Sequence, residues 1–364
     1  MEKIKKNFGF GCMRMQMAGE EVDYEEFKKM IDAFLEAGFN YFDTAHGYID
    51  GKSETAIRDC LSARHPRESF ILTNKLSPGY FHSREEIRPL IESQLALCGV
   101  EYFDFLLMHA MNNDRFDFYQ QVGAFDEALQ LKAEGKIRHM GISFHDKVAA
   151  LDRILTERPD IEVVQIQFNY LDYEDPIVES RKCYEVCRKH GKPVIVMEPV
   201  KGGKLAQMSE DALAVYKELG DMSPASYAIR FVAGHEGVMM VLSGMGNMDM
   251  MNDNLSYMKD FQPLNDKEQE AVQKVADILI KQNQIACTAC QYCVAGCPAG
   301  IKIPDLFACV NAKRALRDPG ADGAYKAVPG GRSADCVDCG QCEEACPQHL
   351  PIRQLLKMTA RIFG

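Results

Sequence analysis

The stretch VVQIQFNYLDYEDPIVESRKCYEVCRKHGKPVIVM, residues 163–197, holds one complete structural unit. VVQIQF (163–168) and PVIVM (193–197) are short, mostly apolar runs that read as strands buried on both faces. DPIVESRKCYEVCRKHG (175–191) between them is patterned as a helix. A strand, a helix and a second strand in this order make a parallel crossover, since parallel neighbours cannot be joined by a tight turn.

The unit recurs in both directions along the chain. FGFGCM (8–13), FNYF (39–42), FILT (70–73), FDFLLM (103–108), IRHMGI (137–142) and VMMVL (238–242) complete a set of eight strand-like runs. Amphipathic stretches separate them. In DYEEFKKMIDAFLEAG, Phe27, Met30, Ile31, Phe34 and Leu35 share one helical face, with Asp23 as N-cap and Gly38 as the stop. SREEIRPLIESQLALCG (83–99) and DEALQLKAEGK (126–136) follow the same pattern. Eight strand–helix units in about 260 residues predict an α/β fold of the (β/α)8 TIM-barrel type. An open doubly wound sheet would carry G-x-G-x-x-G after its first strand, and residues 9–14 read GFGCMR.

After the helix NDKEQEAVQKVADILIKQN (265–283) the alternation stops and cysteines begin. This predicts a barrel domain with its linker helix over 1–283 and a second domain over 284–364. The formal charge is −11, which argues against a nucleic-acid partner. Residues 282–364 carry nine Lys/Arg and seven Asp/Glu, or +2, leaving −13 for residues 1–281. No run approaches the roughly 18 apolar residues of a membrane span, and no apolar stretch follows the basic MEKIKKNFGF as a signal peptide would require. The expected location is the cytoplasm, with no membrane partner. There, fourteen cysteines, eight of them in two short runs, read as metal ligands rather than disulfides.

In a barrel of this type the chemistry sits where strands end. Asp43 and Tyr48 follow the second strand in NYFDTAHGYIDGKSE, Lys75 ends the third in ILTNK, and His109 ends the fourth in LLMHA. Singly, each reads as a structural residue; four at successive strand ends read as a site. With Gly51, Ser53 and Glu54 of the G-x-S-E that follows, this pattern resembles the aldo-keto reductase family over residues 1 to about 260. The resemblance implies that Tyr48 protonates a carbonyl oxygen as hydride reaches the carbon. Lys75 would lower the tyrosine pKa from its free value near ~10, Asp43 would hold Lys75, and His109 would orient the substrate oxygen. It also implies that Ser143 and Gln165 hold a nicotinamide carboxamide, with Met197 where the family often stacks an aromatic ring. Gly244, Asn247, Asp253 and Asn254 of SGMGNMDMMNDNL would contact the adenosine. The cofactor is NADH or NADPH. Between Phe231 and Lys259 no basic residue is present for a 2′-phosphate, and Met250 stands where an arginine is expected. Lys201 and Lys204 are candidates for the pyrophosphate.

The tail reads CTACQYCVAGCP (287–298) and CVDCGQCEEACP (336–347), each C-x2-C-x2-C-x3-C-P, the spacing of bacterial 4Fe–4S ferredoxins. In that arrangement three cysteines of a run share a cluster and the fourth turns to the other. Cys287, Cys290, Cys293 and Cys346 would hold one [4Fe–4S] cluster, and Cys336, Cys339, Cys342 and Cys297 the second. Zinc is the competing occupant. IPDLFACVNAKRAL and LPIRQLLKMTARI read as helices and residues 318–335 as a loop-rich connection, so the tail is expected to be a small, mostly helical ferredoxin-like domain. Barrel and tail together resemble the ferredoxin-fused branch of the aldo-keto reductases. Cys12, Cys60, Cys98, Cys183, Cys187 and Cys309 read as packing residues.

The expected function is a nicotinamide-dependent oxidoreductase that interconverts a small carbonyl compound and its alcohol. Its clusters are available for exchange with an external electron carrier. The alternatives are an active barrel with purely structural clusters, and a non-catalytic redox-sensing or electron-transfer protein. Tyr80, Phe81, Phe116 and Phe118 are candidates for an apolar substrate pocket.

Overall fold

The structure is a computed structural model that describes residues 3–282, 284–314 and 318–364. Eight parallel strands close into a barrel: β1 Phe8–Gly11, β2 Tyr41–Asp43, β3 Ile71–Leu76, β4 Phe103–Met111, β5 Ile137–Phe144, β6 Val163–Gln167, β7 Val194–Met197 and β8 Val238–Ser243. Each strand pairs with its sequence neighbours, and β8 returns to β1 through Phe8↔Val241 and Phe10↔Ser243. All eight expected strands are present. A two-residue antiparallel pair, Met17–Ala18 with Glu21–Val22, decorates the loop after β1.

The helices start and stop for local reasons. In Tyr24–Glu36, Asp23 accepts from the Glu26 N–H, and Gly38 at φ +87° lets the chain turn away. Phe27, Met30, Ile31 and Phe34 are buried on its inner face, while Leu35 is half-buried at the edge. Helix Ser180–Lys189 begins later than the run 175–191 suggests, after residues 175–179 form a turn around the Asp175 side chain. A helix over Asn113–Gln121, capped by Asn112, follows β4 and was not anticipated.

The barrel interior is filled by Tyr41, Ile71, Phe105, Leu107, Val163, Ile195, Met240 and Leu242. Two glycines make room for them. A Cβ on Gly9 would come within 2.9 Å of Leu242 and Met240, and one on Gly141 within 2.5 Å of Val163. At the opposite end from the strand termini, Asp104 is buried and receives Arg67, Arg138 and the Leu72 N–H. Tyr102 lies between the two guanidiniums, 3.8 and 3.9 Å from its ring.

The chain divides into two compact units, one of residues 1–199 and 229–264, the other of residues 200–228 and 265–364. The second therefore includes the segment after β7 and the long helix Asp266–Lys281 as well as the tail. Asn283, the expected boundary, lies outside the described residues. Within this unit Asp266–Lys281 packs on helix Glu210–Lys217, Tyr216 stacks on Tyr227 at 4.2 Å, and Gln282 donates to Ser209. The tail folds around Ile301, Ile303, Leu306, Phe307, Val310, Ile352 and Leu356, between helices Ile303–Arg314 and Ile352–Phe363. Residues 318–335 are more ordered than expected. They contain a helix, Ala321–Ala327, whose Tyr325 stacks on Phe363 at 4.2 Å.

Because Gly141 faces β6 with no space for a methyl group, Gly141→Ala is expected to lower stability by about 1–3 kcal/mol through overpacking. Chemical denaturation of the variant beside the parent checks this; an unchanged midpoint would mean the interior has slack.

Candidate functional site

Three of the four strand-end residues stand at the C-terminal mouth of the barrel, and Tyr48 joins them from the loop after β2. Lys75, fully buried, donates to Asp43 Oδ1 at 2.5 Å and to the Thr44 carbonyl at 2.9 Å. Burial raises the Asp43 carboxyl above its ordinary range, against the opposing pull of the Lys75 ammonium and Gln165. The same ammonium lies 4.8 Å from the centre of the Tyr48 ring. The Tyr48 ring is edge-on to the His109 imidazole, with centroids 6.0 Å apart. All four residues are brought together.

The loop that carries Tyr48 is held under strain. Ile49 and Asp50 both adopt φ +53° and Gly51 φ +85°, and left-handed backbone is rare for a β-branched residue such as isoleucine. What holds it is the G-x-S-E segment. Ser53 and Gly51 N–H groups donate to the Tyr48 carbonyl, and the Ser53 hydroxyl bonds Thr44 Oγ1 and the Cys12 carbonyl. Glu54, fully buried, is satisfied by Asn74, Gln94 and His46.

His109 has a partner that sequence reasoning missed. Ser77 Oγ, two residues beyond Lys75, lies 2.6 Å from His109 Nδ1. Burial, and then the charges of Lys75, His145 and Arg115, hold the imidazole well below its usual pKa, so it is neutral. Tyr119 ties the ends of β3 and β4 together: its hydroxyl accepts from the His109 N–H and donates to the Leu76 carbonyl.

Gln165 reaches from β6 to Asp43 Oδ2 at 3.4 Å, and Ser143 accepts from the Ala110 N–H at 2.8 Å; both lie at the same mouth. Met197 ends β7 half-buried. Beyond β8, Asn247 caps helix Met248–Met258, and Asn254 accepts from the Ser243 hydroxyl and donates to Asp253. Gly244 has Arg14 as its neighbour, with Cδ 3.2 Å from where a Cβ would stand. Arg14 comes from the β1 loop and pairs loosely with Glu198 at 3.8 Å. It supplies the basic residue absent from 232–258, and only the closure of β8 on β1 brings it there. Glu26 also reaches this segment, accepting from the Met248 N–H. Lys201 and Lys204 belong to the other unit, where Lys201 is buried and Lys204 donates to the Ile285 carbonyl. Phe81 and Phe116 are fully buried, while Tyr80 is exposed.

In the second unit the two cysteine runs repeat one backbone. Left-handed residues recur at matching offsets: Ala289 and Asp338, Gln291 and Gly340, Gly300 and His349. At Ala289 this turns the N–H toward Cys287 Sγ at 3.4 Å. Burial, then the nearby Cys290, Cys287 and Cys346, push the Cys293 thiol up to about 12; Cys346 thus stands with the first run. In the other direction, Cys297 lines one cavity with Cys336, Cys339 and Cys342. Among the described residues no three His, Cys, Asp or Glu converge as ligands of a single ion. Four thiols around one cavity are the donor set that a 4Fe–4S cluster takes. The six other cysteines are buried, and burial raises the pKa of each thiol, which leaves them inert.

Comparison with known proteins gives this geometry a family. Residues 7–277 match the aldo/keto reductase family and residues 286–350 a 4Fe-4S dicluster domain. An uncharacterized oxidoreductase of Schizosaccharomyces pombe is 26% identical over 267 residues, 70% of this chain and 82% of its own. A 6-dehydroglucose reductase of Novosphingobium aromaticivorans is 28% identical over 237 residues, 60% of this chain and 73% of its own. Among solved structures, an aldo-keto reductase from Klebsiella pneumoniae in complex with NADPH superposes with a TM-score of 0.60 at 21% identity, covering 74% of this chain and 90% of that one. One from Bacillus halodurans gives 0.59 at 24% identity, covering 74% and 91%. No helix among the described residues is long and apolar enough to cross a membrane. With an eight-stranded closed barrel and a match that runs from β1 past β8, the chain belongs to the aldo/keto reductase family, an oxidoreductase barrel followed by a 4Fe-4S dicluster domain.

Proposed function

We propose that the barrel reduces a carbonyl group, and oxidises the corresponding alcohol, with Tyr48 as the proton donor and acceptor. The observation that carries this reading is the Lys75 ammonium, fixed to Asp43 at 2.5 Å and facing the Tyr48 ring at 4.8 Å. A cation so placed stabilises a phenolate, so Tyr48 can release its proton to the carbonyl oxygen and recover it from solvent. Removing either member of the buried pair would strand the other charge, at a cost of about 3–5 kcal/mol. A nicotinamide nucleotide supplies the hydride when bound. Gln165 and Ser143 would hold its carboxamide, Met197 would cover the ring, and the segment from Gly244 to Asn254 would take the adenosine with Arg14 toward the phosphates. The nucleotide is NADH or NADPH: Met250 stands where a base is expected, while Arg14 lies beside Gly244.

Neutral His109 completes the site. With the Ser77 hydroxyl donating to Nδ1, the ring proton resides on Nε2, where it can be given as a hydrogen bond to the substrate oxygen.

For the tail we propose two [4Fe–4S] clusters, one on Cys287, Cys290, Cys293 and Cys346, the other on Cys336, Cys339, Cys342 and Cys297. The repeated left-handed residues support equal occupancy of both runs, since such backbone is kept where a bound group requires it. The clusters supply one-electron redox chemistry. Cys339 is exposed, which favours an external electron carrier as the partner of the second cluster.

Tyr48→Phe is expected to lower kcat for carbonyl reduction about 10²–10⁴-fold while nucleotide binding, followed by quenching of its fluorescence, persists. Full turnover in this variant would end the reading. For Ser77→Ala the expectation is a loss of roughly tenfold in kcat, the net worth of one hydrogen bond. Nitrogen-15 spectra of histidine-labelled protein should then show mixed tautomers at His109; a single unchanged tautomer would leave Ser77 without this role. Anaerobically prepared Cys346→Ala should lose the iron of one cluster and keep a second that an added viologen dye still reduces. Loss of both clusters together, or of neither, would contradict the crossed ligand sets.

A further inference from the structure

The helix after β4 begins with a guanidinium that the chemistry described so far does not use. Arg115 is the third residue of helix Asn113–Gln121, and its N–H is bonded to the capping Asn112 side chain at 2.8 Å. Its side chain turns back toward the strand end. Nη1 donates to the Ala110 carbonyl at 2.7 Å. Ala110 follows His109 directly and has the left-handed φ of +54°. That turn sends the Ala110 N–H to Ser143 and its carbonyl to Arg115. A strained residue thus fixes the guanidinium one residue from His109, and its charge is among those that keep the imidazole neutral.

No carboxylate neutralises Arg115 among the described residues, although acids are close in sequence. Asp117 pairs with Arg153 at 2.7 Å. Asp146 is taken by the backbone N–H groups of Asn113 and Lys147. Asp114 is exposed on the outer side of the helix start. Other barrel arginines, Arg67, Arg138 and Arg158, each have an acid within 3 Å. Lys75 is consumed by Asp43. Arg115 is half-buried and spends one of its five N–H donors on a neutral carbonyl, with the fork geometry that matches a carboxylate.

We propose that Arg115 anchors an anionic group of the substrate, so that the barrel prefers carbonyl compounds that carry a carboxylate, such as oxo acids and semialdehyde acids, over neutral aldehydes. This rests on the carbonyl-reductase reading above. The carbonyl oxygen lies between Tyr48 and His109, and the carboxylate meets the guanidinium beyond His109. Arg115 takes no part in the proton or hydride transfer; it sets which molecule is presented.

The test uses the full anaerobically prepared chain with NADH and with NADPH, and two matched substrate pairs: 4-oxobutanoate against butanal, and 4-carboxybenzaldehyde against its methyl ester. The parent should favour the charged member in kcat/KM by roughly ten- to a hundredfold in at least one pair. Arg115→Met should bring that ratio close to one, Arg115→Glu should invert it, and Arg115→Lys should keep part of it. Because each ratio is internal to one preparation, partial misfolding of a variant cancels. A parent with no preference, or a preference that survives Arg115→Met, overturns the assignment while leaving the reductase reading in place. If no member of either pair is reduced by the parent with either nucleotide, the reductase reading fails and the assignment falls with it.

Discussion

Inside the mouth of the barrel a buried lysine ammonium is held against a single carboxylate. Such a pair is costly to bury and is kept only if each charge is fully engaged. Lys75 meets that demand with Asp43 and the Thr44 carbonyl, and Asp43 with Lys75 and Gln165. The three strands that carry these residues, β2, β3 and β6, must therefore hold their register closely. Closure of the barrel provides that register, and the packed interior, with Gly9 and Gly141 cut back to hydrogen, prevents it from drifting.

Around this pair the strain is distributed, not concentrated. Ile49 and Asp50 in the loop after β2, and Ala110 near the end of β4, take left-handed backbone, each costing about 1–3 kcal/mol. Hydrogen bonds hold each of them: buried ones of Ser53 and Glu54 behind Tyr48, part-buried ones of Ser143 and Arg115 around Ala110. The tail follows the same rule with different chemistry. Ala289, Gln291, Asp338 and His349 are strained at corresponding places in two cysteine runs, and a bound cluster on each run is the group that would repay that cost.

Much of this was legible beforehand, and the failures have physical causes. The eight strands and the Asp23 cap follow from patterns a few residues long. Phe81 and Phe116 follow strand ends, where both a substrate pocket and ordinary packing are open to them. The helix Asn113–Gln121 folds its aromatic face inward, so that Phe116 packs on Phe125 and Phe81 on Tyr119. Gly202 between Lys201 and Lys204 is needed because the Thr288 backbone lies 2.5 Å from where its Cβ would be. The helix in residues 318–335 was hidden by glycines and found only through the stacking of Tyr325 on Phe363.

The sequence by itself determined the elements, the order in which they succeed one another, and the residue types at each strand end, because caps, helical faces and cysteine spacings act over a few residues. The kind of chemistry came from the resemblance that the strand-end residues carry. Which side chains meet was decided only by the tertiary structure. Arg14 stands by Gly244, some 230 residues away, through the closure of β8 on β1. Ser77 meets His109 because β3 and β4 lie side by side. Arg115 has no carboxylate partner among the described residues because Asp117 and Asp146 are turned to other partners. Contacts of this kind depend on register and on competition among neighbours in space, neither of which is expressed in the spacing of residues along one chain.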